Sequence, residues 1–189
     1  MIGIVASAVG MIRRGFSARD NPSWAETVAA RTVRSMAVPA KAKQMQNPVA
    51  NTPESLAAAE AHWADHCAIC HANNGSGNTT IGKNLYPKAP DMRLAPTQSL
   101  SDAELYYTIQ NGIRLTGMPA WGEPGDHDED TWKLVHLIRH LPQLTSQEER
   151  AMEKLNPKSP EELKEEQEEE EFLNQSTPAT PQPHHKKNH

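Results

Sequence analysis

The chain has 189 residues, a net charge of −5 and a mean hydropathy of −0.71, with 37% hydrophobic residues, 5% aromatics and 15 prolines. That is too little apolar material for one core drawn from the whole length, so a smaller domain must carry extensions at its ends. Seven Lys/Arg against two Asp/Glu make residues 1–51 net +5, while residues 52–144 and 145–189 are each net −5; no basic stripe covers a compact region, which argues against nucleic-acid binding by the domain.

Met1 to Ile12 is an apolar run that meets Arg13-Arg14. Crossing a bilayer takes about 20 apolar residues, and no basic stretch precedes this one. Residues 1–14 therefore read as a partial membrane anchor or a signal-like stretch, with a surface helix as the plain alternative; an arginine pair on the exported side counts against an anchor. Residues 15–51 read as a linker with one short helix, capped by Asn21 with Pro22 at its first position and Trp24 and Val28 on one face. Pro39, Pro48 and Pro53 then break the chain.

A compact domain is expected over 52–144, opening with Thr52 as cap, Pro53 at the first helical position and Glu54 as a first-turn acid. Leu56, Ala59, Trp63, Cys67 and Cys70 recur at steps of three and four, which predicts a helix from Pro53 to about Cys70 with both thiols on its buried face. Ser101 to Glu104 forms a capping box, stapled by Leu100 and Leu105, for a second helix that runs to Asn111 and stops at Gly112. A third helix starts in the acidic run Asp126 to Asp130 and ends before Pro142, with Leu134, Leu137, Ile138 and Leu141 on one face. No strand pattern intervenes. The fold class is all-α, with three main helices around the C-x-x-C and extended N-terminal and C-terminal segments.

Beyond Leu144, capping boxes at Thr145 to Glu148 and Ser159 to Glu162 predict an acidic helical extension over 145–173. Its first helix ends before Pro157, and its second is a solvated, marginal one through Glu165 to Glu171. Residues 174–189, rich in Pro, Ser, Thr and His, read as a disordered tail.

The only two cysteines share one motif, Cys67-Ala68-Ile69-Cys70-His71, so a disulfide framework is excluded. C-x-x-C by itself also occurs in redox dithiols and zinc sites. The first lacks its βαβ surroundings here, and the second lacks another cysteine pair. C-x-x-C-H is the attachment sequence of c-type haem: thiols one helical turn apart reach the two vinyl groups, and the next residue places an imidazole under the iron. The expected cofactor is one covalently bound haem c with its iron.

Downstream, Asn111-Gly112-Ile113-Arg114-Leu115-Thr116-Gly117-Met118-Pro119-Ala120-Trp121 lies between two predicted helices. Here the chain resembles the class I cytochromes c, whose distal-ligand segment has the pattern G-x-x-x-x-x-M-P-A-W. The likeness runs from about Thr52 to Leu144 and includes the loop Asn73 to Asn78, the segment Tyr86 to Asp91 and the Trp132 to Leu141 helix. The resemblance implies the mono-haem cytochrome c fold, with Cys67 and Cys70 as attachment sites and His71 and Met118 as axial iron ligands. It also implies that a proline carbonyl accepts a hydrogen bond from the proximal imidazole, with Pro87 the first candidate and Pro90 the second; such a bond sets the tautomer and raises ligand basicity.

Met92 is near enough in sequence to compete with Met118, and a methionine beside proline often only fills a gap. Trp63 and Trp121 read as packing residues at the haem edge. His62 with His66, and His136 with His140, have metal-binding spacing but read as solvated helix faces. His184, His185 and His189, with Lys186 and Lys187, form a polar end that could capture a transition metal.

With both axial positions filled by protein, the resemblance implies no open coordination site. The chain is then an electron carrier with no catalytic residues, acting alone or as the cytochrome subunit of a larger oxidoreductase. No G-x-S-x-G, P-loop or dinucleotide fingerprint points elsewhere. The partners expected are redox proteins and no nucleic acid, with membrane association through the N-terminus open and a monomeric state. The compartment expected is periplasmic or otherwise extracytoplasmic, with membrane anchoring open. A haem peroxidase or ligand sensor, which needs Met118 off the iron, is the competing class, and a metal-handling module built on the His-rich tail is a third.

Overall fold

The computed structural model describes residues 10, 12, 13, 15, 17–122 and 128–176. The chain divides into two units, residues 1–156 and 157–189. Among the described residues there is no strand.

In the first unit, α1 (Trp24–Ala37) is followed by a single 3-10 turn, Ala42–Gln44. The cap of α1 is Ser23 rather than Asn21: the Glu26 amide donates to Ser23 Oγ at 3.3 Å and the Ser23 amide donates to the Glu26 carboxylate at 2.7 Å. A serine three residues before a glutamate closes this reciprocal pair, whereas Asn21 is taken up as the acceptor for Lys88 Nζ at 2.8 Å. The stretch read as a linker is also tied down. Val38 and Ala42 are buried, and Asn47 Nδ2 donates to the Trp132 carbonyl at 3.0 Å.

The domain proper opens with α2 (Pro53–His62). Thr52 caps it, Pro53 takes the first position, and the Ser55 amide and hydroxyl complete the box with Thr52. The sequence predicts one helix through Cys70. Instead α2 passes into a π turn, Trp63–Cys67, and then into α3 (Ala68–His71). Trp63, Ala64 and Cys67 of this turn are buried, and Asp65 is exposed. π turns of this kind sit preferentially at functional sites.

After a loop with a 3-10 turn (Gly82–Asn84) come the short α4 (Ala95–Gln98), α5 (Asp102–Asn111) and α6 (Glu129–His140). The Ser101/Glu104 box starts α5, and Gly112 ends it at φ +65°. Asp128 caps α6, accepting from the Thr131 amide at 3.0 Å and the Thr131 hydroxyl at 2.7 Å.

α2 and α6 pack together, and α5 packs on α6. The seam is filled by Trp63, Leu105, Ile109, Leu134, Leu137 and Ile138, all under 7% exposed. Each such side chain contributes about 1.5–3 kcal/mol by leaving water. Tyr106 stacks on Trp132 with ring centroids 4.0 Å apart and planes 17° from parallel, and its hydroxyl accepts from the Asp128 amide at 3.3 Å. Arg139 of α6 donates to Asp102 Oδ1 at 2.9 Å and to the Gln98 carbonyl at 2.8 Å, pinning α6 to the start of α5.

α7 (Ser146–Glu153), begun by the Thr145/Glu148 box, buries Met152 completely in the same core. The compact unit thus reaches Asn156.

The second unit contains α8 (Pro160–Ser176), opened by Ser159 and Glu162. Leu163 and Phe172 on it are exposed, and Lys164 pairs with Glu168 at 3.7 Å. The helix continues through Ser176, past the start of the tail expected to be disordered at Asn174, because the glutamate-rich run favours helix up to its end. His184, His185 and His189 lie outside the described residues, as do Met1 to Val9.

Candidate haem site

The C-x-x-C-H motif occupies the end of the π turn and all of α3. Cys67 is buried and Cys70 half-buried; both are free thiols. Burial, with a smaller contribution from neighbouring Cys70, pushes the Cys67 thiol up to about 12, and burial raises Cys70 as well.

His71 is 8% exposed. Burial lowers its imidazole to about 4, so the ring is neutral at physiological pH, the form in which a histidine can ligate a metal. Its Nδ1 is buried and has no hydrogen-bond partner. The expected bond from a proline carbonyl is therefore not formed. Pro87 is exposed; it is the Ala89 and Pro90 carbonyls that turn inward, against Gly77.

The backbone around the motif is held from below by the loop after it. The Gly77 amide donates to the His71 carbonyl at 2.8 Å and the Thr79 hydroxyl to the Cys70 carbonyl at 3.2 Å, which satisfies two carbonyls that α3 leaves free at its end. A Cβ on Gly82 would collide with the Cys70 carbonyl, so this close approach requires glycine. Trp63 fixes the other side. Its Nε1 donates to the Ala72 carbonyl at 3.0 Å, and its ring centroid lies 5.9 Å from that of His71.

Met118 is half-buried in a loop that leaves α5 at Gly112 and returns to it. The Trp121 and Gly122 amides donate to the Ile109 and Gln110 carbonyls at 3.1 and 3.4 Å, so the far end of the loop satisfies the open end of α5. Within it, the Ile113 amide donates to the Met118 carbonyl at 3.0 Å and the Met118 amide to Thr116 Oγ1 at 3.1 Å. A Cβ on Gly112 would lie 2.6–2.7 Å from Pro119 C, Ala120 N and Met118 O. The glycine is thus the floor on which the methionine segment rests.

Met92, the competing methionine, packs against the core, with its amide bonded to the Gly75 carbonyl at 2.8 Å. The histidine pairs are engaged in other ways. His62 and His66 face one another at 4.8 Å, and His66 meets Trp121 edge-on at 5.3 Å. His136 Nε2 lies 2.8 Å from the Val49 carbonyl, and His140 Nε2 lies 3.0 Å from Glu148. No group of three or more His, Cys, Asp or Glu side chains among the described residues could hold a metal ion, so the zinc reading of the C-x-x-C finds no further ligands.

A family model described as cytochrome C oxidase, cbb3-type, subunit III matches residues 54–138, just under half of the chain. These residues form a c-type cytochrome domain. No curated protein matches the chain. The cytochrome domain is the all-α fold expected from the sequence, and its function is electron transfer through covalently attached haem c and its iron, not catalysis on a substrate. The residues present suit that group: two free thiols one turn apart, and next to them a buried neutral imidazole. When bound, the haem supplies Fe(III)/Fe(II) exchange. The protein supplies attachment points, a dry wall from Trp63 and α6, and the loop that carries the Met118 thioether.

Cytochrome c domains are typically extracytoplasmic. Among the described residues no helix is long and apolar enough to cross a membrane. Sequence reasoning missed the π turn and the contact between His66 and Trp121. Neither leaves a periodic signal: the turn keeps the same apolar spacing, and the contact joins residues far apart in the chain.

Proposed function

We propose that the domain is a monomeric, periplasmic one-electron carrier whose haem is attached at Cys67 and Cys70 and ligated by His71 and Met118. The observation that carries this reading is the combination of a buried, neutral His71 directly after the two thiols with a methionine loop built on Gly112 and closed onto α5. Met ligation favours the ferrous state and raises the potential, and two strong axial ligands leave no position for oxygen or substrate. Redox proteins would meet it in small, short-lived contacts, as suits turnover. The domain's net negative charge favours partners with basic faces and makes association slower in salt.

The test is a visible spectrum of the exported, haem-loaded protein in both oxidation states, with and without carbon monoxide. A low-spin haem with the far-red sulfur-to-iron band and slow carbon monoxide uptake is expected. Immediate uptake, or a high-spin spectrum, removes Met118 and brings forward a ligand sensor or peroxidase.

The family match favours one further reading: the domain serves as the electron-entry part of a larger terminal oxidase. Co-purification of the native protein with membrane-bound oxidase subunits would distinguish that assignment from a freely diffusing carrier. The basic N-terminal segment would give the chain its membrane association in either case.

A further inference from the structure

α1 is attached to the domain by its polar side. The helix divides into rows four residues apart. On the row Glu26, Ala30, Arg34, Glu26 accepts from the Tyr86 hydroxyl at 3.2 Å, and Arg34 is half-buried. Just before the helix, Asn21 accepts from Lys88 Nζ. The opposite row is Trp24, Val28, Thr32 and Met36.

Trp24 is 80% exposed, Met36 78% and Val28 43%, and no residue of the helix is buried. An amphipathic helix ordinarily turns its apolar face to the core. This one turns it outward, away from the core of the domain.

The chemistry flanking the stripe says what covers it. Exposed Arg13, Arg19, Arg31, Lys41 and Lys43 border it in sequence, Lys43 donating to the Ser35 carbonyl of α1 at 2.7 Å. The only acids in residues 1–51 are Asp20 and Glu26, and Glu26 is already bonded to Ser23 and Tyr86. Directly upstream in the sequence lies the apolar run Met1 to Ile12. A tryptophan at the end of an apolar stripe rimmed by arginine and lysine is the composition of a helix lying in an anionic lipid interface. A second copy of the chain fits poorly, because pairing two such faces brings two net-positive segments together.

We infer that α1 is an interfacial helix that lays its outward apolar stripe on an anionic lipid surface, while its polar side holds the cytochrome domain through Glu26–Tyr86 and Asn21–Lys88. Because those contacts fall on the loop that also carries Pro87 and Pro90, the membrane would fix which face of the domain is presented along the bilayer. The inference deepens the proposed membrane association and does not depend on the axial ligands.

The test is co-sedimentation of the full-length, haem-loaded protein with vesicles of phosphatidylcholine alone and of phosphatidylcholine mixed with phosphatidylglycerol. Binding about tenfold stronger to the mixed vesicles is expected, weakening with salt. The triple variant Trp24→Ser, Val28→Ser, Met36→Ser should lose about tenfold or more of that binding. Its visible spectrum and melting temperature should be unchanged, since none of the three side chains is buried. Three results would overturn the inference: no preference for the anionic vesicles, a triple variant that binds as the parent does because residues 1–12 suffice, or self-association without lipid that the triple variant abolishes. A changed spectrum in the parent protein would instead count against His71/Met118 ligation and leave the lipid result standing.

Discussion

The edge of Trp121 meets the ring of His66 with centroids 5.3 Å apart and planes 82° from parallel. His66 immediately precedes Cys67 in the π turn, and Trp121 lies three residues after Met118, so this one contact joins the haem-attachment segment to the methionine loop. Edge-to-face aromatic pairs contribute about 0.5–1.5 kcal/mol beyond the area they bury. Trp121→Ala should loosen the loop by that amount, giving a few-fold to about tenfold faster carbon monoxide uptake. Global unfolding should change little, because Trp121 is not in the core.

Gly112 should tolerate no side chain. At φ +65° a Cβ costs roughly 1–2 kcal/mol before any contact is considered, and here it would also meet the backbone of Met118 to Ala120. Gly112→Ala should therefore diminish the far-red sulfur-to-iron band and lower the melting temperature together. If the band survives at full strength, the loop does not rest on this glycine.

The Tyr106–Trp132 stack is the joint between α5 and α6, with both residues 1% exposed. Trp132→Ala should cost about 3–5 kcal/mol in chemical denaturation. Trp132→Phe, which keeps an aromatic partner for Tyr106, should cost less than half of that.

Glu148 caps α7 through Thr145 and accepts from His140, and the Thr145 bonds hold its carboxyl down to about 2 from an ordinary 4.5. A group whose pKa is lower folded than unfolded adds stability above the unfolded value and loses it as pH falls toward the folded one. The contribution is therefore present above about pH 4.5 and disappears on the way to about pH 2. Glu148→Gln keeps a capping acceptor, so it should cost under about 1 kcal/mol at neutral pH. It should also flatten the acid limb of the stability curve measured by denaturation at successive pH values.

In the haem-free chain the two thiols should differ. Burial raises both, but Cys67, pushed to about 12, is the more enclosed. Since the thiolate is the nucleophile, alkylation near pH 8 should mark Cys70 before Cys67, read by mass spectrometry of the digested chain. Equal rates would mean that the motif is unfolded before haem is attached.

Local signals carried much of this molecule. The capping boxes at Ser101/Glu104, Thr145/Glu148 and Ser159/Glu162, the stop at Gly112 and the apolar periodicity of α6 act over three or four residues, so the sequence alone determined those helices and their order. The same holds for C-x-x-C-H, whose spacing is its chemistry. Other features are set by residues far apart in the chain, and only the tertiary structure decided them. Met152 is buried because α7 folds back onto the core, which carries the compact unit past Leu144. The π turn at Trp63–Cys67 likewise leaves no mark on the apolar spacing, which an ordinary helix satisfies equally well. α1 turns its apolar side outward because Glu26 is bonded to Tyr86 on another element, and no periodicity in residues 24–37 could reveal which face that partner would claim.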